Sequence, residues 1–181
     1  MKIIIISTHT DDGLQIAKAL QEANDDMLVA PVFTTSLQMR GKTGEVLYYM
    51  PNEEAELGYR NNAFMWVHTN PDCTMGVTMP DMYSSNIFVM TYGDFNNIAN
   101  PVLNELVSNE EEELLLVVLD DSKSKKTDDE LREARSAYER IDMCKYLYFL
   151  DESVRNASEC ILRYIVSDEE EREKIIDALN N

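Results

Sequence analysis

The chain alternates short apolar runs with stretches in which apolar residues recur at helical spacing. Residues 2–7 carry four consecutive isoleucines, the composition of a strand buried on both faces of a sheet. Leu14, Ile16, Ala17 and Leu20 then recur at the spacing of an amphipathic helix. The beginning of the sequence therefore predicts a strand, a polar turn and a helix.

The same alternation continues along the chain. Further strands are predicted at 27–33, 46–50, 63–68, 87–92, 114–119 and 146–150, and further helices at 53–61, 98–107, 128–143, 152–166 and 168–179. Strands and helices alternate at both ends of the chain, which favours a parallel sheet with helices on both faces. The middle, residues 34–86, breaks this alternation and is predicted to be an insertion.

The net charge of the chain limits the classes of partner that the protein is expected to bind. Thirty-four acidic residues against sixteen Lys and Arg give a net charge of −18, which repels phosphate backbones and anionic membrane surfaces. No apolar stretch approaches the ~18 residues of a membrane span. The three cysteines lie far apart, without zinc-finger or disulfide spacing. We therefore expect a cytoplasmic protein with reduced thiols that contacts neither nucleic acid nor membrane directly.

The turn after the first strand is the place to look for chemistry, because ligands of open parallel sheets bind where such strands end. A phosphate-binding P-loop has the form G-x-x-x-x-G-K-[ST]. When Gly13 is set on its second glycine, Thr8 falls on the first glycine. Leu14 then replaces the lysine, and Gln15 replaces the hydroxyl residue that holds magnesium.

The side chains in this turn oppose phosphate binding. Leu14 offers no positive charge, Gln15 is a poor magnesium ligand, and Asp11 and Asp12 place negative charge where phosphates would lie. Two like charges ~4 Å apart repel by about 1 kcal/mol even in water, and by more in a drier pocket. The sequence therefore predicts a degenerate P-loop that has lost ATP binding in the usual mode. The alternative is an ordinary strand-to-helix turn with Asp11 or Asp12 as helix cap.

The motif His9-Thr10-Asp11-Asp12 also resembles the metal-binding motif of zinc-dependent deacetylases that act on N-acetylglucosaminyl substrates. In that interpretation His9, Asp12 and a further histidine would bind zinc, and Asp11 would be the base. The other histidine in the chain is His68. A zinc set of His9, Asp12 and His68 is thus an alternative to the expectation of no metal.

From residue 32 onward the chain resembles the guanylate kinases, which are P-loop nucleoside monophosphate kinases. The segment VFTTSLQMRGKTGEV at 32–46, followed by Tyr48 and Tyr49, resembles the part of those enzymes that holds the acceptor phosphate. The resemblance implies an anion cradle made of Thr34, Thr35, Arg40 and the two tyrosines. The alternative is a purely structural role, in which Arg40 pairs with a nearby carboxylate and the tyrosines pack against neighbouring side chains.

A second part of the resemblance concerns the lid. The run REARSAYE at 132–139 resembles the arginine-bearing helix after the lid, so Arg132 and Arg135 would approach the cradle from that side. The segment YLYFLDESV at 146–154 resembles the final strand and its acidic turn.

The departures from the family pattern bear on activity. Met65 stands where the family reads guanine with a glutamate, Met75 replaces a tyrosine, and of an aspartate pair near the reaction centre only Asp94 remains, displaced by one position. Phosphoryl transfer depends almost wholly on positioning and charge neutralisation. We therefore expect no catalytic residues.

The resemblance implies an α/β fold of the P-loop nucleoside monophosphate kinase type: a parallel sheet flanked by helices in a single domain, 1–181. It also implies a small inserted α+β subdomain at 34–86 and a lid-like loop and helix at 120–143. The function expected is that of a catalytically inactive, cofactor-free module that binds another protein, with a nucleotide or phosphate-bearing ligand as a possible occupant. A divergent nucleotide-binding enzyme or sensor, an acidic mimic of nucleic acid and the zinc deacetylase remain alternatives.

Overall fold

Two four-stranded sheets form the framework of the protein. The structure is a computed structural model, and it describes residues 1–8, 10–37, 47–109 and 112–180. Its elements are β1 (Lys2–Ser7), α1 (Thr10–Ala23), β2 (Val32–Thr34), β3 (Leu47–Tyr49), α2 (Asn52–Arg60), β4 (Phe64–Thr69), β5 (Thr74–Thr78), α3 (Met79–Ser84), β6 (Ile87–Met90), α4 (Tyr92–Asn96), α5 (Asn100–Ser108), β7 (Leu114–Asp120), α6 (Asp128–Ile141), β8 (Tyr146–Leu150), α7 (Val154–Val166) and α8 (Glu169–Asn180).

The larger sheet is parallel, with the strand order β6-β1-β7-β8. The isoleucines of β1 are fully buried because β1 is central and both faces of the sheet are covered. Ile3 and Ile5 face the cluster that includes α1 and α7, whereas Ile4 and Ile6 face the cluster that includes α4 and α6. This alternation follows from the two-residue period of a strand. The predicted α/β architecture, a parallel sheet flanked by helices, is confirmed.

The smaller sheet has the order β3-β2-β5-β4 and mixes parallel with antiparallel pairs. Phe33, Met50, Ala55 and Phe64 form the buried cluster between this sheet and α2. The apolar run at 27–33, expected as one strand, is divided between the sheets. Val29 bridges Ile87 at the outer side of β6, and residues after Pro31 enter the smaller sheet as β2.

Other boundaries differ from expectation near the predicted site. Helix α1 begins at Thr10, so Asp11, Asp12 and Gly13 belong to the helix rather than to a turn. The elements β5, α3 and α4 were not anticipated. None of the three cysteines, all of which lie in the described ranges, forms a disulfide. Within the described residues, no helix combines the length and the apolar character needed to cross a bilayer.

Candidate functional site

The carboxyl ends of the four parallel strands meet at one edge of the larger sheet, where Ser7, Met90, Asp120 and Leu150 are the last strand residues. Two cavities lie at this edge, with volumes of about 250 Å³ and about 170 Å³. Ser7 and Thr8 line both of them. Open α/β sheets bind ligands in this position, so the edge is the candidate site.

The larger cavity has an apolar base and an acidic rim. The base consists of Ile16, Leu119, Phe149, Val154 and Ala157. Among the described residues, the ionisable side chains that line the cavity are five carboxylates and one amine, namely Asp12, Asp120, Asp121, Asp151, Glu152 and Lys123. Charges in a partly enclosed cleft are screened less than charges on an open surface. The cavity therefore favours neutral or cationic groups and disfavours phosphate.

The loop that leaves β7, residues 121–127, is fixed across this edge, and we call it the strap. The backbone N–H of Ser122 donates to Asp151 Oδ1 at 2.9 Å, and its hydroxyl donates to Asp151 Oδ2 at 2.5 Å. These bonds hold the pKa of Asp151 below its usual value, with the hydroxyl contributing most. Strap residues Asp121 and Lys123 line the larger cavity, and Ser124 and Lys126 line the smaller one.

The far end of the strap is held by a largely buried ion pair. Lys126 Nζ lies 2.5 Å from Asp120 Oδ1, and each side chain is only 13% exposed. The same ammonium lies over the ring of Tyr92, 5.4 Å from its centroid. Tyr148 donates its hydroxyl to Asp120 Oδ2 at 3.4 Å. The positive charge of Lys126 is therefore neutralised inside the protein.

Three tyrosines pack around this pair. The hydroxyls of Tyr92 and Tyr138 are 3.0 Å apart, and the rings of Tyr138 and Tyr148 meet edge to face at 6.3 Å. Burial raises the pKa of all three hydroxyls above the ordinary value. These hydroxyls stay protonated even above the pH at which an exposed tyrosine ionises, and they can act as neutral hydrogen-bond donors.

The residues predicted to form the degenerate P-loop lie mostly in the first turns of α1. Thr8 lines both cavities and Asp12 lines the larger one, whereas Asp11 and Gln15 are exposed. Leu14 packs against the core cluster beneath α1. Of this set, then, the structure brings Thr8 and Asp12 to the cavities.

Gly13 has a packing role. A Cβ at this position would lie 2.7 Å from Val89 Cγ1 and 3.5 Å from Ile5 Cγ2. The first distance is too short for two carbon atoms and requires Val89 or the helix to move, whereas the second is an ordinary van der Waals contact. The absence of a side chain at Gly13 therefore lets α1 approach β1 and β6 closely.

The predicted anion cradle falls on the smaller sheet. Thr34 is buried, and its hydroxyl accepts from the N–H of Ser36 at 3.2 Å. The hydroxyl of Thr35 accepts from the N–H of Thr74 at 2.9 Å. Tyr48 donates its hydroxyl to Asp81 at 3.3 Å, while Tyr49 is half-buried on β3. Burial, together with the charge of Asp81, raises the pKa of Tyr48 to about 12.

The predicted arginines do not meet this cradle in the described part of the chain. Arg40 lies outside the described residues. Arg132 and Arg135 are exposed on α6, and Arg132 pairs with Asp129 at 3.0 Å, one helical turn away. Neither of the two edge cavities is lined by any of the six described candidate residues of the cradle and lid.

The alternative zinc set is divided between the two sheets. Asp12 lies in the first turn of α1 beside the larger sheet, His68 is exposed on β4 of the smaller sheet, and His9 is not among the described residues. In the described ranges no group of three His, Cys, Asp or Glu could hold a metal ion. Asp94, the remnant of the family's aspartate pair, caps α4 by accepting from both the N–H and the hydroxyl of Thr91.

Sequence reasoning missed most of the residues that shape the edge. Asp120, Ser122, Lys126 and Asp151 follow or end strands β7 and β8 and carry the strap's contacts. The available signal was the position of polar residues just after two buried parallel strands, which places them at one edge.

Comparisons with known proteins agree with the architecture. No family model matches the sequence, and no curated protein matches it. Among solved structures, the fold is similar to guanylate kinase from Anaplasma phagocytophilum, with a TM-score of 0.53 and 14% sequence identity. The similarity covers 91% of this chain and 84% of that enzyme. At this identity the likeness concerns the fold, and the chain accordingly has a guanylate kinase-like α/β fold.

Proposed function

We propose that this protein is a catalytically inactive guanylate kinase-like module that binds another protein through the carboxyl edge of its larger sheet. One observation carries the proposal: in the part of the chain that the structure describes, five carboxylates and one lysine line the cavity at the end of β1. Asp12, Asp120 and Asp151 lie where a nucleotide-binding relative would need positive charge. The apolar base of the cavity remains suited to a side chain or small group.

The residues at the P-loop positions lack the charged and magnesium-binding groups that phosphoryl transfer requires. Enzymes that catalyse phosphoryl transfer neutralise the transferred phosphate with lysine, arginine and magnesium. Loss of one such group costs roughly several kcal/mol of transition-state stabilisation. Here Leu14 packs against the core cluster and Gln15 faces solvent at the two positions that align with the lysine and the magnesium ligand. Lys126, at the same edge, is already paired with Asp120.

Calorimetry and a coupled phosphoryl-transfer assay test the loss of activity. We expect no heat of binding for ATP with magnesium and no transfer to GMP or other nucleoside monophosphates. The matched variant is Asp12→Asn, which removes one charge from the cavity without changing side-chain size. Phosphate transfer by the wild-type protein that disappears in Asp12→Asn would overturn the proposal.

A divergent nucleotide sensor is the second candidate, because the larger cavity keeps a volume of about 250 Å³ and an apolar base. Titration with mono-, di- and cyclic nucleotides separates it from a protein-binding module. Saturable binding of one nucleotide, weakened by substitution of Phe149, would favour the sensor. Flat titrations throughout the panel would remove it.

A further inference from the structure

Beside the smaller cavity, Asp120 and Tyr92 form a position for an ammonium group, which we call the ammonium seat. Lys126 already occupies this position. The Lys126 ammonium contacts two kinds of group: the carboxylate of Asp120 at 2.5 Å and the face of Tyr92, whose centroid is 5.4 Å away. The hydroxyl of Tyr148 donates to the other oxygen of the same carboxylate. A carboxylate combined with an aromatic face is a recognised arrangement for binding organic cations. Glu130 and Glu133 also line the adjoining cavity and add negative potential.

The occupant of this seat belongs to the strap. Lys126 is separated from Asp120 by only the strap residues, and the strap is tied at its other end by Ser122 to Asp151. Removing one member of a largely buried ion pair is costly, because the other charge is left without a partner. The pair therefore keeps the strap over the edge, and strap residues line both cavities.

We propose that Asp120, Tyr92 and Tyr148 form an ammonium-binding site which Lys126 fills from within the chain, and that a primary alkylammonium group, such as a lysine side chain of a partner, opens the strap by replacing it. This inference deepens the proposed function and rests on it for the identity of the partner as a protein. The inference specifies what the partner presents: a lysine side chain at the carboxyl edge of the larger sheet, between β1 and β7.

The recognition follows from the chemistry of the seat. Asp120 is 13% exposed, so a competing ion loses much of its water on binding, and a compact ammonium with an apolar stem can pack that stem against the tyrosine ring. A neutral group of the same shape leaves the carboxylate without a counter-ion. The site should therefore distinguish butylammonium from butanol.

The test uses the full chain and a variant with the internal occupant removed. In Lys126→Ala we expect hydrogen exchange of the Ser122 and Ser124 amides to accelerate about tenfold or more, because the strap loses one anchor. n-Butylammonium should bind this variant saturably and restore the protection, whereas n-butanol should not. The matched control is Lys125→Ala, which removes an exposed lysine of the same strap that lines neither cavity and should change neither result.

Two further measurements complete the design. The variant Asp120→Asn/Lys126→Ala should not bind butylammonium, and Lys126→Met, which keeps the apolar stem, provides a folded alternative if the alanine variant does not fold. In the wild-type protein, high butylammonium should accelerate exchange of the strap amides beyond the effect of equal sodium chloride. Absence of saturable binding to the lysine variants, or equal rescue by butanol, overturns the inference.

The outcomes separate this inference from the proposed function. ATP titrated into the same samples reports on nucleotide binding and does not depend on the ammonium seat. Nucleotide binding with normal butylammonium rescue would overturn only the proposed function. Failed rescue with no nucleotide binding would overturn only the ammonium site.

Discussion

At the scale of single residues, Gly13 links the sequence pattern to the packing of the sheet. In the alignment with a phosphate-binding loop it takes the place of the second glycine, but in the structure it is the fourth residue of α1. Its backbone approaches Val89 so closely that no side chain fits without movement. A glycine in a P-loop pattern can therefore be required by helix packing alone.

The substitution Gly13→Ala tests this role. The new Cβ would lie 2.7 Å from Val89 Cγ1, and overpacking of this kind costs about 1–3 kcal/mol, against a gain of at most ~1 kcal/mol in helix propensity. We expect urea denaturation to show a net loss of stability. The control is Gly93→Ala, where the nearest atom is Oε2 of the flexible Glu133 side chain at 2.9 Å. Equal stability of Gly13→Ala and wild type would contradict the packing role.

Tyr48 gives a pH-dependent prediction at the same scale. Its pKa is raised to about 12, above the value of ~10 expected in the unfolded chain. Because the folded state holds the proton more tightly, the stabilisation is complete below pH ~10 and is lost as pH rises from there toward the folded pKa. We expect the stability advantage of wild type over Tyr48→Phe to be smaller at about pH 11 than at about pH 8. An advantage that grows with pH would contradict the assignment.

At the scale of elements, the sequence predicts the larger sheet well and its connections less well. Residues 2–7 and 146–150 are strands with the predicted bounds, because both are continuous apolar runs. The run is buried on both faces in the central strand β1, whereas in the edge strand β8 only Leu147 and Phe149 are buried. Strand β5 was missed because Gly76 interrupts its pattern. That glycine is needed where the backbone approaches Trp66, whose carbonyl oxygen would lie 2.4 Å from a Cβ.

The sequence named two candidate places, the turn after β1 and the cradle with its lid arginines, and the described residues of the second line neither edge cavity. The sequence directed attention to the end of β1, and Thr8 and Asp12 do line the cavity there. The strap contact joining Ser122 to Asp151 depends on how β7 and β8 are paired, and such long-range pairing has no signature in the local pattern. Asp120 and Lys126 are only six residues apart, but their pairing depends on the path of the strap, which the pattern of apolar and polar residues does not encode.

Helix α6 carries an element-scale prediction, because its first turn is fixed by a capping box just after the strap. The Thr127 hydroxyl accepts from the N–H of Glu130 at 3.3 Å, and the Glu130 carboxylate accepts from the N–H of Thr127 at 2.6 Å. Loss of such a cap costs about 1 kcal/mol. We expect Thr127→Ala to lower stability by that amount in chemical denaturation. Ser136→Ala, on an exposed position of the same helix, should be neutral or slightly stabilising, and a neutral Thr127→Ala would contradict the cap.

At the scale of the whole molecule, the net charge of −18 outweighs local pairing. Surface ion pairs such as Lys18 with Glu22 at 3.9 Å are exposed and contribute little. Repulsion among the remaining carboxylates acts over the entire surface and opposes compaction. A partner that presents lysine to the edge of the larger sheet would meet an attractive field before contact.

Salt should therefore stabilise this protein. Raising sodium chloride from ~20 mM to ~500 mM shortens the screening length from roughly 20 Å to a few ångströms and weakens repulsion more than it weakens the short-range pairs. We expect the free energy of unfolding to rise by about 1 kcal/mol, equivalent to about 2–4 °C in Tm for a chain of this size. Near the isoelectric pH of about 4.3 the same salt step should have little effect, because the net charge has vanished. A Tm that falls with salt at neutral pH would mean that attractive pairs, with Lys126 and Asp120 foremost among them, dominate the electrostatics of folding.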